Sequence, residues 1–496
     1  MEIPETQIKS RSDVPPATVS SDTPERHLDQ GHLSGLQAGG LAIATFGPGV
    51  GIVTVPAFTW MVAGSGSWLS VLLAVLGTSL VGISIVLFAR RSVGTGSLYS
   101  YIGESFKPWV RVVTASGVVV GYVFAVAGLL AGTGTYLVSF LVSEGVVGDA
   151  GDGVYIATYV ISAAIAAMFA IRGLDASVRV SVSLALISVP VAVVVLVGAI
   201  RNTGIDLTSQ LSLSDSSFGG VTQGVATAAA FLVMFESSAA LAAETRSPRK
   251  TIPRVVMAVP IGLGTIFALA TVVQYAALNA LPAEALVNAS PPAALARAAG
   301  FDFLAEVADL VVALGLFVAI VGFFNYAPRV AMTIANEGLL PRGLAAVHPR
   351  FRTPARAIGA LAVASAALPS AFLAWSDESA LTVNVVVTTL VTYFWVVPYL
   401  LISLAGARLV LRERRLPWLL LPAIALGAVI IVWILVAGIA NTRPDILGMS
   451  VWIAVSIYFA VTAGFYICLL YTSLWAWPLP RLRFRRPSLL GATNRH

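Results

Sequence analysis

Ala44-Thr45-Phe46-Gly47-Pro48-Gly49-Val50-Gly51-Ile52 stands inside a block, Leu36 to Ala89, that contains no Asp, Glu, Lys or Arg. A helix needs about 20 apolar residues to cross a bilayer, so the block holds two crossings, divided at Gly64-Ser65-Gly66-Ser67. The first crossing should not be a continuous helix. Three glycines and a proline fall within the five residues 47–51. Proline removes a backbone donor and clashes with the preceding turn, and glycine costs about 1 kcal/mol against alanine in a helix interior. Broken backbone is tolerated in a membrane only where protein buries it or it lines a cavity. The amides freed at such a break form a cradle for a carboxylate; close packing through small residues is the structural alternative.

The rest of the chain extends this pattern. Hydrophobic residues make up 57% of the 496, charged residues 11%, and the mean hydropathy is +0.88. Soluble domains carry about 25% charged residues. Twelve spans are expected, near 36–63, 68–89, 112–142, 153–171, 180–200, 218–243, 255–278, 307–328, 357–375, 380–407, 416–440 and 446–475. Residues 1–33 carry six acids against Lys9, Arg11 and Arg26. They read as a disordered cytoplasmic tail rather than a leader. Residues 34–475 read as one membrane domain, and 476–496 as a basic cytoplasmic tail.

With twelve spans, 27 of the 30 Lys and Arg residues fall on the side of both termini. Only Arg201, Arg297 and Arg443 fall opposite. The positive-inside rule makes the rich side cytoplasmic and the protein a multi-pass component of the cytoplasmic membrane. The net charge of +6 is spread over many short loops, unlike the basic stripe of a nucleic-acid surface, so no nucleic-acid partner is expected. Cys468 is the single cysteine, and His27, His32, His348 and His496 all lie in polar segments. No metal site or catalytic residue is expected.

The sixth span carries Phe231-Leu232-Val233-Met234-Phe235-Glu236-Ser237-Ser238. Glu236 is the one carboxylate well inside a span, since Glu306 and Asp309 come near an end. An intramembrane acid is a functional candidate by default. It can bind an amine, carry a proton, or hold two helices in register. Spans one and six are five apart, the spacing of broken helices in transporters built from inverted repeats, which bind substrate between them at the midplane.

Several motifs resemble those of the amino acid–polyamine–organocation (APC) superfamily. Gly49-Val50-Gly51-Ile52-Val53-Thr54-Val55-Pro56 is similar to its first-helix motif. Gly94-Thr95-Gly96-Ser97-Leu98-Tyr99-Ser100-Tyr101 resembles the stretch before its third helix. Phe235-Glu236 followed by Glu244-Thr245-Arg246-Ser247-Pro248-Arg249-Lys250-Thr251-Ile252-Pro253-Arg254 looks like the signature around its sixth. Arg329 through Asn336-Glu337-Gly338-Leu339-Leu340-Pro341, with His348-Pro349-Arg350-Phe351-Arg352-Thr353-Pro354, matches the loop after its eighth. The resemblance covers about residues 34–475. It implies an all-α, LeuT-type five-plus-five inverted repeat with two C-terminal helices, helices one and six broken, and alternating access.

It also implies an amino acid held between the breaks. The amides of Gly49, Val50, Gly51 and Ile52 would take its carboxylate, and the carbonyls of Phe231, Leu232 and Val233 its amine. Glu236 matches the family glutamate beside the break. Thr45, Tyr122, Phe235 and Tyr393 join the expected binding set, with Tyr122 and Tyr393 the least constrained. Two positions depart from the family. Val50 replaces the usual serine, and Ser188 stands where proton-coupled relatives carry lysine. Lys9, Lys107 and Lys250 are the only lysines and lie outside the spans, so a lysine switch is excluded. Coupling through Glu236 (H+), through sodium with Asn325 as a contact, or no coupling all stay open, and no other cofactor is expected.

Glu244, Arg246, Arg249 and Arg254 read as interfacial salt bridges, Tyr99 and Tyr101 as interfacial anchors, and Phe231 and Phe235 as packing or a gate. The partners expected are the bilayer and an amino acid or organic amine; oligomeric state is not encoded in these motifs. The leading expectation is an amino acid permease. A polyamine- or ethanolamine-type amine transporter is the near alternative. A non-transporting sensor would need a larger signalling module than the tails offer. An enzyme lacks histidine in the spans and a partner acid for Glu236.

Overall fold

The computed structural model describes residues 28–475 except 149, 282–289, 414, 441–443, 445 and 447, and only the backbone of 468–475. The tail assignments for residues 1–27 and 476–496, and the positions of Arg414, Arg443 and the Cys468 side chain, lie outside the described residues. The described residues are helical, with no strand; one isolated parallel bridge joins Leu33 to Thr245. Among the described residues, eleven segments are long and apolar enough to cross a membrane, the first running unbroken by polar loops from Gly35 to Ala89.

That first segment comprises α1 (Gly35–Thr45), α2 (Pro48–Ala63) and α3 (Ser67–Ala89). Ser34 caps α1 in a reciprocal box with Gln37, which satisfies two orphan amides at once. The chain breaks at Phe46-Gly47. Gly47 has φ +51°, a left-handed conformation that only glycine adopts without penalty, and Pro48 opens α2 at its first position, where its missing N–H costs nothing. A short α4 (Ser97–Ser105) precedes the long α5 (Pro108–Ser143), α6 (Asp152–Ile171) and α7 (Leu174–Thr203).

After α8 (Leu207–Ser212), α9 (Phe218–Ala230) stops at Phe231. Residues 231–234 turn, Met234 takes φ +69°, and a 3-10 helix runs Phe235–Glu244. Both breaks therefore occur where they were expected. α10 (Pro248–Met257) continues through a π-helical turn, Ala258–Leu263, into α11 (Gly264–Asn279). The rest are α12 (Pro291–Ala298), α13 (Asp302–Asn336), α14 (Ala355–Trp375), α15 (Ala380–Arg412), α16 (Leu420–Ala440) and α17 (Ser450–Trp475).

α5, α13 and α15 form the packed centre. α5 lies along both others, and most of its apolar length is buried, as is that of α13 and of Phe218–Glu244. α6, α7, α14, α16 and α17 bury only a minor part of their apolar length, as expected of helices that meet lipid. α13 extends well beyond the span expected for it at 307–328, and that extension buries Arg329 completely. Arg329 is therefore a core residue, not part of the basic loop it was counted with.

Candidate functional site

The break between α1 and α2 is held by close packing on three sides. A Cβ on Gly49 would come within 2.7 Å of the Ser188 backbone on α7, and one on Gly51 within 2.2 Å of the Phe267 ring on α11. On α13, Gly315 makes room for Val50 and Gly322 for Thr45. The Thr45 hydroxyl donates to the Leu41 carbonyl at 2.6 Å and lies 3.3 Å from the Tyr326 hydroxyl. Ser188, at the position where the family lysine was expected, does touch the break.

The amides of Gly49 and Val50, in the first turn of α2, have no intrahelical acceptor. The expected cradle is smaller than four residues, however. Gly51 donates to the Gly47 carbonyl at 2.9 Å, and Ile52, one place on, falls in the regular helical ladder. Gly51 is a packing residue against α11 and Ile52 belongs to an apolar cluster with α7 and α12.

The second break supplies acceptors. Among the described residues no donor reaches the carbonyls of Phe231, Leu232 or Val233. Leu232, Val233 and Phe235 are buried, and Phe231 stacks on Phe58 of α2 at 6.3 Å. Free donors at one break and free acceptors at the other are thus carried by helices that pack together.

Glu236 lies one residue into the 3-10 helix and is 1% exposed. One carboxylate oxygen accepts from the Trp395 indole N–H at 2.9 Å, the other from the Tyr399 hydroxyl at 2.8 Å. Tyr399 in turn accepts the Met234 amide at 2.8 Å, which holds the left-handed residue beside the break. Ser97, on α4, donates to the Glu236 carbonyl at 3.1 Å. Tyr122, on α5, donates to Ser237 at 2.8 Å and meets the Trp395 ring edge-on at 5.2 Å. Gly121 leaves the space that Trp395 fills. The carboxylate is fully hydrogen-bonded, yet every donor to it is neutral.

Of the expected residues, Tyr122, Phe235 and Glu236 converge here. Tyr393 does not: its ring packs against Gly438 of α16, on the other side of α15 from Trp395 and Tyr399. The sequence reading missed Trp395 and Tyr399. Their i, i+4 spacing places them on one helix face, whereas Tyr393 is two residues from Trp395 and points away. Asn325 is fully buried on α13; its amide N–H donates to Val321 at 2.8 Å and its Oδ1 has no partner among the described residues.

The flanking motifs also move inward. Glu244, expected at the interface, is buried and receives Arg329 through Nε at 2.5 Å and Nη2 at 3.1 Å. Tyr99 and Tyr101, expected as interfacial anchors, are buried as well; Tyr99 donates to Glu337 at 2.5 Å and Tyr101 stacks on Phe88. A cavity of about 250 Å³ is lined by Ser97, Tyr101, Glu104, Thr333 and Glu337. Burial pushes the Glu104 carboxyl above its ordinary range, against an opposing hydrogen bond from Ser92.

Known proteins share this chain's pattern. An uncharacterized transporter of Mycobacterium tuberculosis is 28% identical over 324 residues, 64% of this chain and 70% of the relative. A branched-chain amino acid permease of Bacillus subtilis is 24% identical over 396 residues, 76% of this chain and 81% of the relative. A methylthioribose transporter of the same organism is 23% identical over 309 residues, 59% and 65% of the two chains. A family profile described as amino acid permease matches residues 33–472. The chain, a multi-pass membrane protein of transporter type, belongs to the amino acid permease family of the APC superfamily.

Proposed function

We propose that this protein is a secondary transporter that carries amino acids with apolar side chains across the cytoplasmic membrane by alternating access. The observation that carries this reading is the pairing of two helix breaks, with free amides at Gly49 and Val50 and free carbonyls at Phe231, Leu232 and Val233. That arrangement suits a zwitterion. Val50, Val233 and Phe231 offer an apolar surround, and the branched-chain permease of Bacillus subtilis makes leucine, isoleucine and valine the first substrates to try.

The same reading takes twelve crossings arranged as five plus five with two more, and both termini in the cytoplasm. Gly35–Ala89 has 55 residues, roughly 80 Å of helix at 1.5 Å per residue, which is far more than one crossing of a core about 30 Å thick. The 3-10 turn at Gly64–Gly66 is the natural point of reversal. The broken segments are then the first and sixth, and the arginine-rich loops are cytoplasmic.

Glu236 and the free Oδ1 of Asn325 are the groups we assign to coupling, by a proton or by sodium. Glu236 has no cationic partner among the described residues, which favours one further reading: an amine without a carboxylate, such as ethanolamine or a polyamine, bound directly to it. Uptake of labelled leucine into proteoliposomes, with and without sodium and a pH gradient, tests the proposal. Leucine, isoleucine and valine should compete and polyamines should not. Glu236→Gln should slow uptake at least tenfold while the protein still inserts and stays monodisperse. Uptake by this variant at the wild-type rate and affinity would remove Glu236 from the mechanism.

A further inference from the structure

Asp309 sits on α13, seven residues in from Asp302, at the arginine-poor end of the bundle. It is 7% exposed. One of its oxygens accepts from the Ser139 hydroxyl of α5 at 2.7 Å; the other has no partner among the described residues. Asp309 takes part in none of the ion pairs formed by the described residues. A buried carboxylate with one neutral donor and one empty oxygen is costly in a membrane unless something occupies that oxygen.

Its neighbours locate it on the route to the breaks. Val312 and Ala313, three and four residues further along α13, lie on the same helix face. They pack with Tyr136 of α5 and with Val50, whose amide belongs to the α2 cradle. Tyr136 is itself three residues before Ser139. Asp309 and Ser139 therefore form a layer one helical turn nearer the arginine-poor surface than Tyr136 and Val50. Gly315, against which Val50 is seated, is six residues from Asp309, about 9 Å along the axis. Tyr136 is buried to the same degree as Asp309, at 7% exposure.

We infer that Asp309 is a second cation site, distinct from Glu236, one turn outside the α1–α2 break. It takes a small monovalent cation, whether a sodium ion or the ammonium group of an entering substrate. Oδ1 is the binding atom, and Ser139 orients the carboxylate. The role of this site as an entry station rests on the transporter reading above; the binding itself does not.

The test is a thermal titration of the purified full-length protein in sodium chloride, methylammonium chloride and choline chloride at matched ionic strength. Sodium or methylammonium should raise the melting temperature above choline, and which of them does so identifies the source of the charge. Asp309→Asn keeps the acceptor for Ser139 but loses the charge, and should raise the half-saturating cation concentration at least tenfold. Measured in the Glu236→Gln background, where any cation held at Glu236 is lost, the same Asp309→Asn change should still raise that concentration at least tenfold. A wild type that melts alike in all three salts overturns the inference, as does an Asp309→Asn variant that responds like wild type. Should Asp309→Asn fail to fold, Ser139→Ala carries the test: a shift of at least threefold supports the site and an unchanged value overturns it. Absent leucine uptake with an intact cation response would overturn the transporter reading and leave the site standing.

Discussion

Replacing Arg329 with Met should unfold this protein more readily than any loop substitution. The guanidinium is fully buried and makes three hydrogen bonds, two to the Glu244 carboxylate at 2.5 and 3.1 Å and one to the Asn325 carbonyl at 2.5 Å. The Glu244 side chain is 2% exposed. Methionine fills much of the volume, so the lost energy is electrostatic rather than a cavity. It leaves a carboxylate buried without a counter-charge, and removing one member of a buried pair costs about 3–5 kcal/mol. Each 1.4 kcal/mol is tenfold, so the folded-to-unfolded ratio should fall by a factor on the order of 10² to 10³. Equilibrium unfolding in mixed micelles measures this for Arg329→Met, Glu244→Met and the double variant. The double variant should recover most of the loss, because a well-packed apolar pair is often as stable as a buried ion pair, and the cycle should show a coupling well above 1 kcal/mol. A single variant within about 1 kcal/mol of wild type, or a double variant worse than both singles, would refute the argument from burial.

Gly51→Ala should destabilise the protein by about 1–3 kcal/mol, the usual cost of overpacking, because its Cβ would lie 2.2 Å from the Phe267 ring; Phe267→Leu in the same chain should restore part of the melting temperature. Tyr399→Phe removes hydrogen bonds to Glu236 and to the Met234 amide and leaves both groups buried; leucine uptake should fall severalfold or more, and an unchanged rate would mean that Trp395 alone orients the carboxylate. Arg91 holds the Glu413 carboxyl below the ordinary carboxylate range through their hydrogen-bonded pair. Because the folded-state value is the lower one, the pair stabilises at pH above the unfolded value near 4.3, and that contribution disappears as pH falls through the lowered value. Both side chains are more than a third exposed or close to it, so the effect is small and salt-sensitive, and Glu413→Gln should flatten only the acid limb of a stability–pH curve.

The first break was legible from composition; the second was expected from repeat spacing and the resemblance. Gly47-Pro48-Gly49 breaks a helix by backbone chemistry alone, and the structure puts Gly47 in the left-handed region that this chemistry permits. The second break has no proline or glycine; the place of Glu236, the five-span spacing and the resemblance pointed to it, and the left-handed Met234 is held by Tyr399 from 165 residues away in sequence. Contacts of that range have no local signature. The same limit explains Tyr393: aromatic content identified the right helix, but only packing reveals that Gly438 receives Tyr393 while Gly121 admits Trp395. It also explains Glu244 and Arg329, two charges in motifs that read as interfacial because each lies beside a polar loop. Each becomes buried only when α13 passes the end of the 3-10 helix.

Three buried acids, Glu236, Glu244 and Asp309, differ in what faces them, and the difference sorts their roles. Glu244 has a guanidinium bonded to both oxygens; its charge is already matched, and no substrate or ion could displace Arg329 without leaving an arginine stranded in the core. Its role is to tie the 3-10 helix to α13. Glu236 has both oxygens occupied by neutral donors that orient the group without cancelling its charge. Asp309 has one such donor and one oxygen open. An acid stabilised only by neutral donors can gain or lose a cation without breaking up its surroundings, which a salt-bridged acid cannot do. On the proposed reading, Asp309 and Glu236 are acids that can each hold a cation without breaking an ion pair, and the layer of Tyr136 and Val50 lies one turn inward of Asp309.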